Sequence, residues 1–307
     1  MKNNEEINYG ELLDTLETHL ELMKGKKLKK GDTLYDQYFK PLSDEHVKYL
    51  GIEFDMDFDL DNNYLQYVFA RFVKSWYNGT GKAFISEGKM RIEIKTLLCN
   101  FNYDDFIEKD SNDCVKLFNE VIEHPKDYEK LFGIRRRTDL MYFCEGVCSI
   151  AKVLEKFLNQ GLITRDSNQV QKLSRSNHCI RDYINTSIEK DLVGMSWTLL
   201  SDAVKEAGLF DLAKPDVHII DVLNEFYKAK KIDMTYKMPQ NSKQFIDFHE
   251  NIRQIYENNQ SKLNSIYELD KKMWISCARF YFHNDKGEDN RKQVLLGKIK
   301  NLSAWDI

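Results

Sequence analysis

The feature that most limits the fold of this chain is its shortage of helix-breaking residues. Only four prolines and 14 glycines occur among its 307 residues, and a proline inside a helix costs about 3 kcal/mol. In most long segments, apolar residues recur three or four positions apart, which is the spacing of one helix face. The sequence therefore predicts a mostly α protein, long enough for one large domain or two modest ones.

Helical periodicity is clearest in a few long segments. In 63–77, the spacing predicts a buried face formed by Tyr64, Tyr67, Val68, Phe72 and Trp76. Within 138–160, Tyr142 and Phe143 are expected in the core. The acidic and apolar alternation of 54–61 lacks the glycine and final glutamate of a calcium loop, so a solvated edge or a turn is expected there. Further helices are predicted over 9–27, 114–123, 166–189, 197–207, 217–230, 242–257 and 262–282.

Composition bounds the class of protein. The formal net charge is −4, so only a local basic surface could support nucleic-acid binding. We expect no transmembrane helix, because no run of about 18 apolar residues occurs. The polar N-terminus lacks the apolar region of a signal peptide. The six scattered cysteines suit a reducing cytoplasm, with Cys144 and Cys148 as core thiols. A cytoplasmic monomer without metal or cofactor is expected.

The segment 180–227 combines a tight turn with a carboxylate at the start of a helix. The turn passes through Gly194, and a helix begins directly after it at Trp197. The next helix follows Lys214-Pro215-Asp216, with Asp216 at its N-cap. Side chains of this helix expected to face inward are Val217, Ile220 and Leu223, whereas His218 is expected to be packed and hydrogen-bonded.

This arrangement has a chemical meaning beyond helix capping. The backbone N–H groups of Met195, Ser196 and Trp197 at a helix N-terminus can bind phosphate without a cationic side chain. The dipole and free amides of the following helix favour the charged form of Asp216. A carboxylate near a bound phosphodiester suits a reaction in which cationic charge develops on a sugar. Asp216 alone would indicate only a cap, and the two roles are compatible.

Two motifs resemble those of the helix-hairpin-helix DNA glycosylase superfamily. The segment Leu192-Val193-Gly194-Met195-Ser196-Trp197-Thr198 is similar to its Leu-Pro-Gly-Val-Gly hairpin, and Pro215-Asp216-Val217-His218 is similar to its Val-Asp-Thr-His or Val-Asp-Val-His segment, whose Asp is catalytic. The resemblance covers about 170–285. It implies two helical subdomains with a cleft between them, residues 1–130 forming one wall and 131–307 carrying the hairpin and the catalytic helix. It also implies that Asp216 is catalytic and that the backbone-binding residues are Gly194, Met195, Ser196, Trp197 and Thr198.

A third similarity lies downstream. Asp270 and Trp274 match the Asp-x-x-x-Trp segment of archaeal-type 8-oxoguanine glycosylases, where both residues contact the flipped base. The resemblance implies that they form a base pocket here, although Trp274 fits a plain core equally well. The densest basic run consists of Arg135, Arg136 and Arg137. A solvated face is its usual meaning, and a phosphate contact is the alternative.

The resemblance has two departures. Bifunctional members of the superfamily carry a catalytic lysine 18 or 19 residues before the aspartate, and Thr198 stands eighteen before Asp216. A monofunctional enzyme that uses water is therefore expected, with Lys190, Lys205 and Lys214 left open as substitute nucleophiles. Ser196 replaces the second hairpin glycine, which is tolerable when its φ is negative.

The expected function is a DNA glycosylase that flips out a modified base and hydrolyses its N-glycosidic bond, leaving an abasic site. The resemblance allows two substrate classes, a damaged base similar to 8-oxoguanine or a hypermodified base of phage DNA removed in antiviral defence. A non-catalytic nucleic-acid-binding protein and a nucleoside hydrolase on the same scaffold are the alternatives. DNA is the expected partner, and no membrane is involved.

Overall fold

The computed structural model describes residues 7–24, 39–78, 85–86, 89–90, 92–110, 115–124, 137–161, 163–165, 191–209, 211–277 and 291–302. Helices make up most of these residues, which confirms the prediction of a mostly α protein. The helices in chain order are α1 (Gly10–Lys24), α2 (Asp44–Phe54), α3 (Leu60–Asn78), α4 (Ile92–Leu97), α5 (Tyr103–Asp110), α6 (Val115–Glu123), α7 (Arg137–Asn159), α8 (Trp197–Glu206), α9 (Val217–Ala229), α10 (Ser242–Glu257), α11 (Ile266–Cys277) and α12 (Arg291–Lys300). A short antiparallel pair, β1 (Ile85–Ser86) and β2 (Lys89–Met90), and a 3-10 turn at Cys99–Phe101 complete the described elements.

The chain divides into two compact units, and their limits lie at 40/41 and 211/212 rather than near residue 130, where the sequence predicts a boundary. Residues 41–211 form one, which we call the inserted unit. The chain ends, 1–40 and 212–307, form the other, the terminal unit. The reason is that the apolar face of α1 packs into the same core as the last helices, with members that include Leu12, Leu16, Leu223, Leu269 and Met273. An amphipathic helix does not specify by its own sequence which helices will cover it.

Helix α3 is the centre of the inserted unit and packs against α7 and α8. All five of its predicted inward side chains are buried. Two of them also form hydrogen bonds with the C-terminal end of α8. The Tyr64 hydroxyl donates to the Ala207 carbonyl at 2.5 Å, and the Tyr67 hydroxyl donates to the Glu206 carbonyl at 3.1 Å. These bonds satisfy carbonyls that a helix C-terminus leaves open. They hold α8, whose N-terminus follows the predicted hairpin.

The predicted helices form with shifts of a few residues at their ends, as at α11, which begins at Ile266 rather than 262. Residues 55–59 connect α2 and α3 without a helix, which confirms the expected turn. Helices α2, α4, α5 and α12 were not predicted, and 166–189 lies outside the described residues. Three expectations about side chains in these helices were wrong. Tyr142 is 42% exposed rather than buried in the core. Val217 is 54% exposed, although Ile220 and Leu223 are buried. Cys148 takes part in a disulfide bond, whereas Cys144 is a buried thiol outside any disulfide.

No helix among the residues that the structure describes is both long and apolar enough to cross a membrane.

Candidate functional site

Asp216 occupies the predicted N-cap of α9 in the terminal unit. Its backbone is extended, with φ −104° and ψ 171°. Its Oδ1 accepts hydrogen bonds from the amides of His218 at 2.9 Å and Ile219 at 3.1 Å. These are amides that a helix start leaves open, and the helix dipole favours negative charge at the same position. The side chain is therefore fixed at the helix start while only 8% exposed.

The second oxygen of this carboxylate is differently placed. No residue in the described ranges donates a hydrogen bond to Asp216 Oδ2. The remaining lone pairs of a nearly buried carboxylate thus have no donor in that part of the chain. Such an oxygen can accept a proton from water or face a developing positive charge.

Two titratable side chains lie near Asp216. Burial lowers the pKa of His218, an effect that the Asp216 charge opposes, so the imidazole is neutral at neutral pH. The expected packing of His218 holds in part, since the side chain is partly buried, but its buried Nδ1 has no hydrogen-bond partner among the residues that the structure describes. Burial raises the pKa of Cys277 to about 12. This thiol therefore stays protonated and is a poor nucleophile. The imidazole and the thiol are therefore both uncharged at neutral pH.

Asp270 comes to the same loop from α11. It is 1% exposed, and its Oδ1 accepts the backbone amide of Lys214 at 2.6 Å. One turn later, Trp274 is partly exposed. The Nζ atom of Lys271 lies 5.8 Å from the Trp274 ring centroid and 5.2 Å from that of Tyr267, which is cation–π distance. The structure thus joins Asp270 to the Asp216 loop and leaves Trp274 partly exposed.

The hairpin lies in the inserted unit, where side chains of two helices hold Val193. The indole Nε1 of Trp76 on α3 donates to the Val193 carbonyl at 2.8 Å. The Val193 amide donates to the Ser149 hydroxyl oxygen at 3.0 Å, and that hydroxyl donates to the Gly146 carbonyl of α7 at 2.7 Å. The carbonyl and the amide of Val193 are therefore both held by hydrogen bonds immediately before the turn at Gly194.

The turn itself combines a left-handed glycine with a serine that caps the following helix. Gly194 has φ +75°, a left-handed conformation that favours glycine. Ser196 has φ −72°, the negative value that makes its substitution for glycine tolerable, and its hydroxyl oxygen accepts the Leu199 amide at 3.4 Å. The amides of Met195 and Ser196 meet no acceptor among the described residues. The Trp197 side chain is buried, so only its backbone could contact a ligand.

The remaining predicted residues are placed less completely. Arg135 and Arg136 lie outside the described residues, and Arg137 is the first residue of α7. Thr198 is partly buried in the first turn of α8. Lys205 is buried, with its Nζ 3.0 Å from a Glu206 carboxylate oxygen. Such an ion pair explains Lys205 as a structural residue. Lys190 also lies outside the described part.

Sequence reasoning missed three contributors to the hairpin. The sequence places Trp76 on the buried face of its helix without indicating a contact to the hairpin, and it gives no signal at Ser149. Tyr142 was expected in the core but is 42% exposed, and its ring lies 5.6 Å from that of Trp76, centroid to centroid. The glycine at 146 was an available signal, because a Cβ there would lie 2.4 Å from the Trp76 ring. A helix glycine often marks such a close approach.

Among the described residues, no group of three or more histidine, cysteine, aspartate or glutamate side chains could hold a metal ion. Comparisons with protein-family models, with curated proteins and with solved structures found no match to this chain. The function therefore has to be argued from the site itself.

Proposed function

We propose that this protein is a monofunctional DNA glycosylase of the helix-hairpin-helix superfamily. It flips a modified base out of DNA and hydrolyses the N-glycosidic bond with Asp216 and water, leaving an abasic site. The two-subdomain fold with a central cleft belongs to the proposal. The observation that carries it is the Asp216 carboxylate, whose Oδ1 is saturated by two backbone amides while Oδ2 has no donor in the described ranges.

The proposed chemistry uses the Oδ2 atom of Asp216. When the N-glycosidic bond breaks, its electron pair leaves with the base, and positive charge builds on the deoxyribose. The negative Asp216 carboxylate stabilises this charge. Water then attacks the anomeric carbon and transfers a proton to the carboxylate. The released base takes up a proton from solvent, and the carboxyl group gives its proton back to solvent, so that free base and a charged Asp216 result. Because the capping amides hold Oδ1, the carboxylate needs little reorganisation during the reaction.

The hairpin binds the DNA backbone, and Trp274 binds the flipped base. The open amides of Met195 and Ser196 at the start of α8 contact the DNA backbone, a mode that needs no net positive charge on the protein. Basic residues at 135–137 add phosphate contacts. The flipped base stacks on Trp274. Flipping costs a few kcal/mol and is easiest for damaged or weakly paired bases.

Water is the proposed nucleophile because no lysine stands at the position of the superfamily's Schiff-base lysine. Thr198 occupies it, and Lys205 is held in its buried ion pair. We therefore expect base release without strand cleavage. The abasic product should be cut only after alkali treatment, and borohydride should trap no covalent enzyme–DNA complex.

The test uses two variants that separate charge from capping. Asp216→Asn keeps a good N-cap residue but removes the negative charge. It should reduce base release by at least about a hundredfold, the scale of losing one electrostatic stabiliser. Thermal stability and DNA affinity should stay near those of the wild type. Asp216→Ala removes both functions and should also lower stability by about 0.5–2 kcal/mol.

The substrate requires a panel. Duplexes with oxidised or alkylated bases and DNA from phages with hypermodified bases would each be incubated with the protein. Mass spectrometry would identify the released base, and alkali would reveal abasic sites. Base release by Asp216→Asn at the wild-type rate would refute the catalytic assignment. Salt-dependent DNA binding without base release from any substrate would support the non-catalytic alternative.

A further inference from the structure

Asp270 makes a contact that its sequence motif did not indicate. Its carboxylate, on α11, accepts the Lys214 amide at 2.6 Å across a separation of 56 residues. A hydrogen bond to a charged, buried acceptor is shorter and stronger than a neutral one. A buried carboxylate also needs such donors to offset its lost hydration. The bond is therefore a strong tertiary tie between α11 and the loop before α9.

The tie continues to Asp216 through a single residue. The Lys214 carbonyl accepts the Asp216 amide at 2.7 Å, so both polar backbone groups of Lys214 are used. Pro215, between them, is buried and has a φ restricted by its ring. From Asp270, the path runs through the Lys214 peptide groups to the Asp216 backbone.

Helix α11, which carries Asp270, is firmly packed. The neighbours of Asp270 on α11, Leu269 and Met273, are fully buried in the core of the terminal unit. Lys272, two residues after Asp270, forms ion pairs with Glu268 at 2.8 Å and with Glu17 of α1 at 3.0 Å. Helix α11 is thus fixed by apolar packing and by ion pairs. A carboxylate projecting from it is a firm support for a loop.

We propose that Asp270 is a positioning residue that fixes the Asp216 carboxylate through the Lys214 peptide, rather than a residue that touches the flipped base. This inference rests on the proposed function for its catalytic consequence. The 1% exposure of Asp270 leaves almost no surface for a ligand, and Oδ1 is already bonded. Contact with the base is then left to Trp274.

The test compares a variant that keeps the acceptor with variants that lack it. Asp270→Asn retains an oxygen for the Lys214 amide, whereas Asp270→Ala removes it. Asp270→Cys, nearly equal in volume and a weak acceptor, replaces the alanine variant if that one does not fold. Two readouts are needed. One is the amide resonance and hydrogen exchange of Lys214, with the His218 and Ile219 amides reporting on the Asp216 cap. The other is single-turnover base release, measured separately from DNA affinity.

In Asp270→Ala, the Lys214 amide should lose its downfield shift and exchange at least about ten times faster, and the His218 and Ile219 amides should shift with it. Base release at saturating enzyme should fall by roughly ten- to a hundredfold, the scale of a misplaced catalytic group. DNA affinity should change by no more than about twofold. The asparagine variant should stay within about threefold of the wild type in rate.

Two results would overturn the inference. One is an unchanged Lys214 amide in Asp270→Ala. The other is an asparagine variant that is as slow as the alanine variant while its Lys214 amide is intact, because this would mean that the Asp270 charge acts on the substrate directly. If the wild type releases no base at all, the proposed function fails. The amide resonances then still decide whether Asp270 fixes the Asp216 carboxylate.

Discussion

Replacing Gly194 by alanine tests how closely the hairpin approaches the helices beneath it. A Cβ at this position would lie 2.2 Å from the Tyr142 hydroxyl oxygen and 2.9 Å from the Trp76 Nε1 atom. The residue also has φ +75°, where a side chain is strained. Two separate penalties should therefore add at a single methyl group.

The chain offers a matched control in the same unit. Gly161 has φ +68°, and within the described part of the chain no atom apart from its immediate neighbours lies within 4 Å of its hypothetical Cβ. Alanine at Gly161 should lower the free energy of unfolding only by the cost of a left-handed backbone, roughly 1–2 kcal/mol. At Gly194, the same cost is joined by roughly 1–3 kcal/mol of overpacking. The expected total is roughly 2–5 kcal/mol.

Urea unfolding of the two variants measures the difference. Gly194→Ala should be the less stable by roughly 1–3 kcal/mol. Because Tyr142 is 42% exposed, truncating it to alanine should cost little alone and should recover part of the loss in the double variant. Equal losses at Gly194 and Gly161, or no recovery in the double variant, would refute the close approach. If the hairpin binds DNA, Gly194→Ala should also weaken binding more than Gly161→Ala.

Two further predictions concern stability. Trp76→Phe removes the donor to the partly buried Val193 carbonyl and should lower the free energy of unfolding by about 1 kcal/mol, the scale of one lost hydrogen bond; a loss below that of an ordinary surface substitution would contradict this role. Burial lowers the pKa of His19 to about 4, from an unfolded value of 6.5, so the unfolded chain binds a proton first as pH falls. Between about pH 7 and pH 5, stability should drop by up to about 2 kcal/mol, and His19→Gln should make that drop smaller. Urea curves at both pH values measure it, and an unchanged drop in the variant would rule out His19 as its source.

Long amphipathic helices could be predicted from the sequence because their evidence is local. The apolar spacing of 63–77 appears again as the buried face of α3. The cap at Asp216 is local too, since it needs only a carboxylate beside the first amides of α9. The short helices α4 and α5 were missed, because segments of six and eight residues hold too few turns for a periodic signal. Whether these short segments form helices depends on how they pack in the folded protein.

The candidate site was predictable only in its chain-local parts. The bond from Lys214 to Asp270 joins residues far apart in the chain, and no spacing rule reports it. The exposure of Tyr142 also depends on the hairpin that meets it, while its neighbour Phe143 is buried as expected. Val217 was assigned inward from the apolar pattern, but the first residue of a helix lies at the edge of its buried face. Tertiary placement explains each difference.

The joining of the chain ends in one unit has a consequence for synthesis. Helix α1 is synthesised well before the helices that cover its apolar face, which belong to residues 212–307. At 5–20 residues per second, that wait lasts roughly 10–60 s. An isolated helix of 15 residues is marginal in water, so its leucines remain exposed until those helices have been made. Residues 41–211 can assemble during this interval, whereas the terminal unit folds only when residues 212–307 follow.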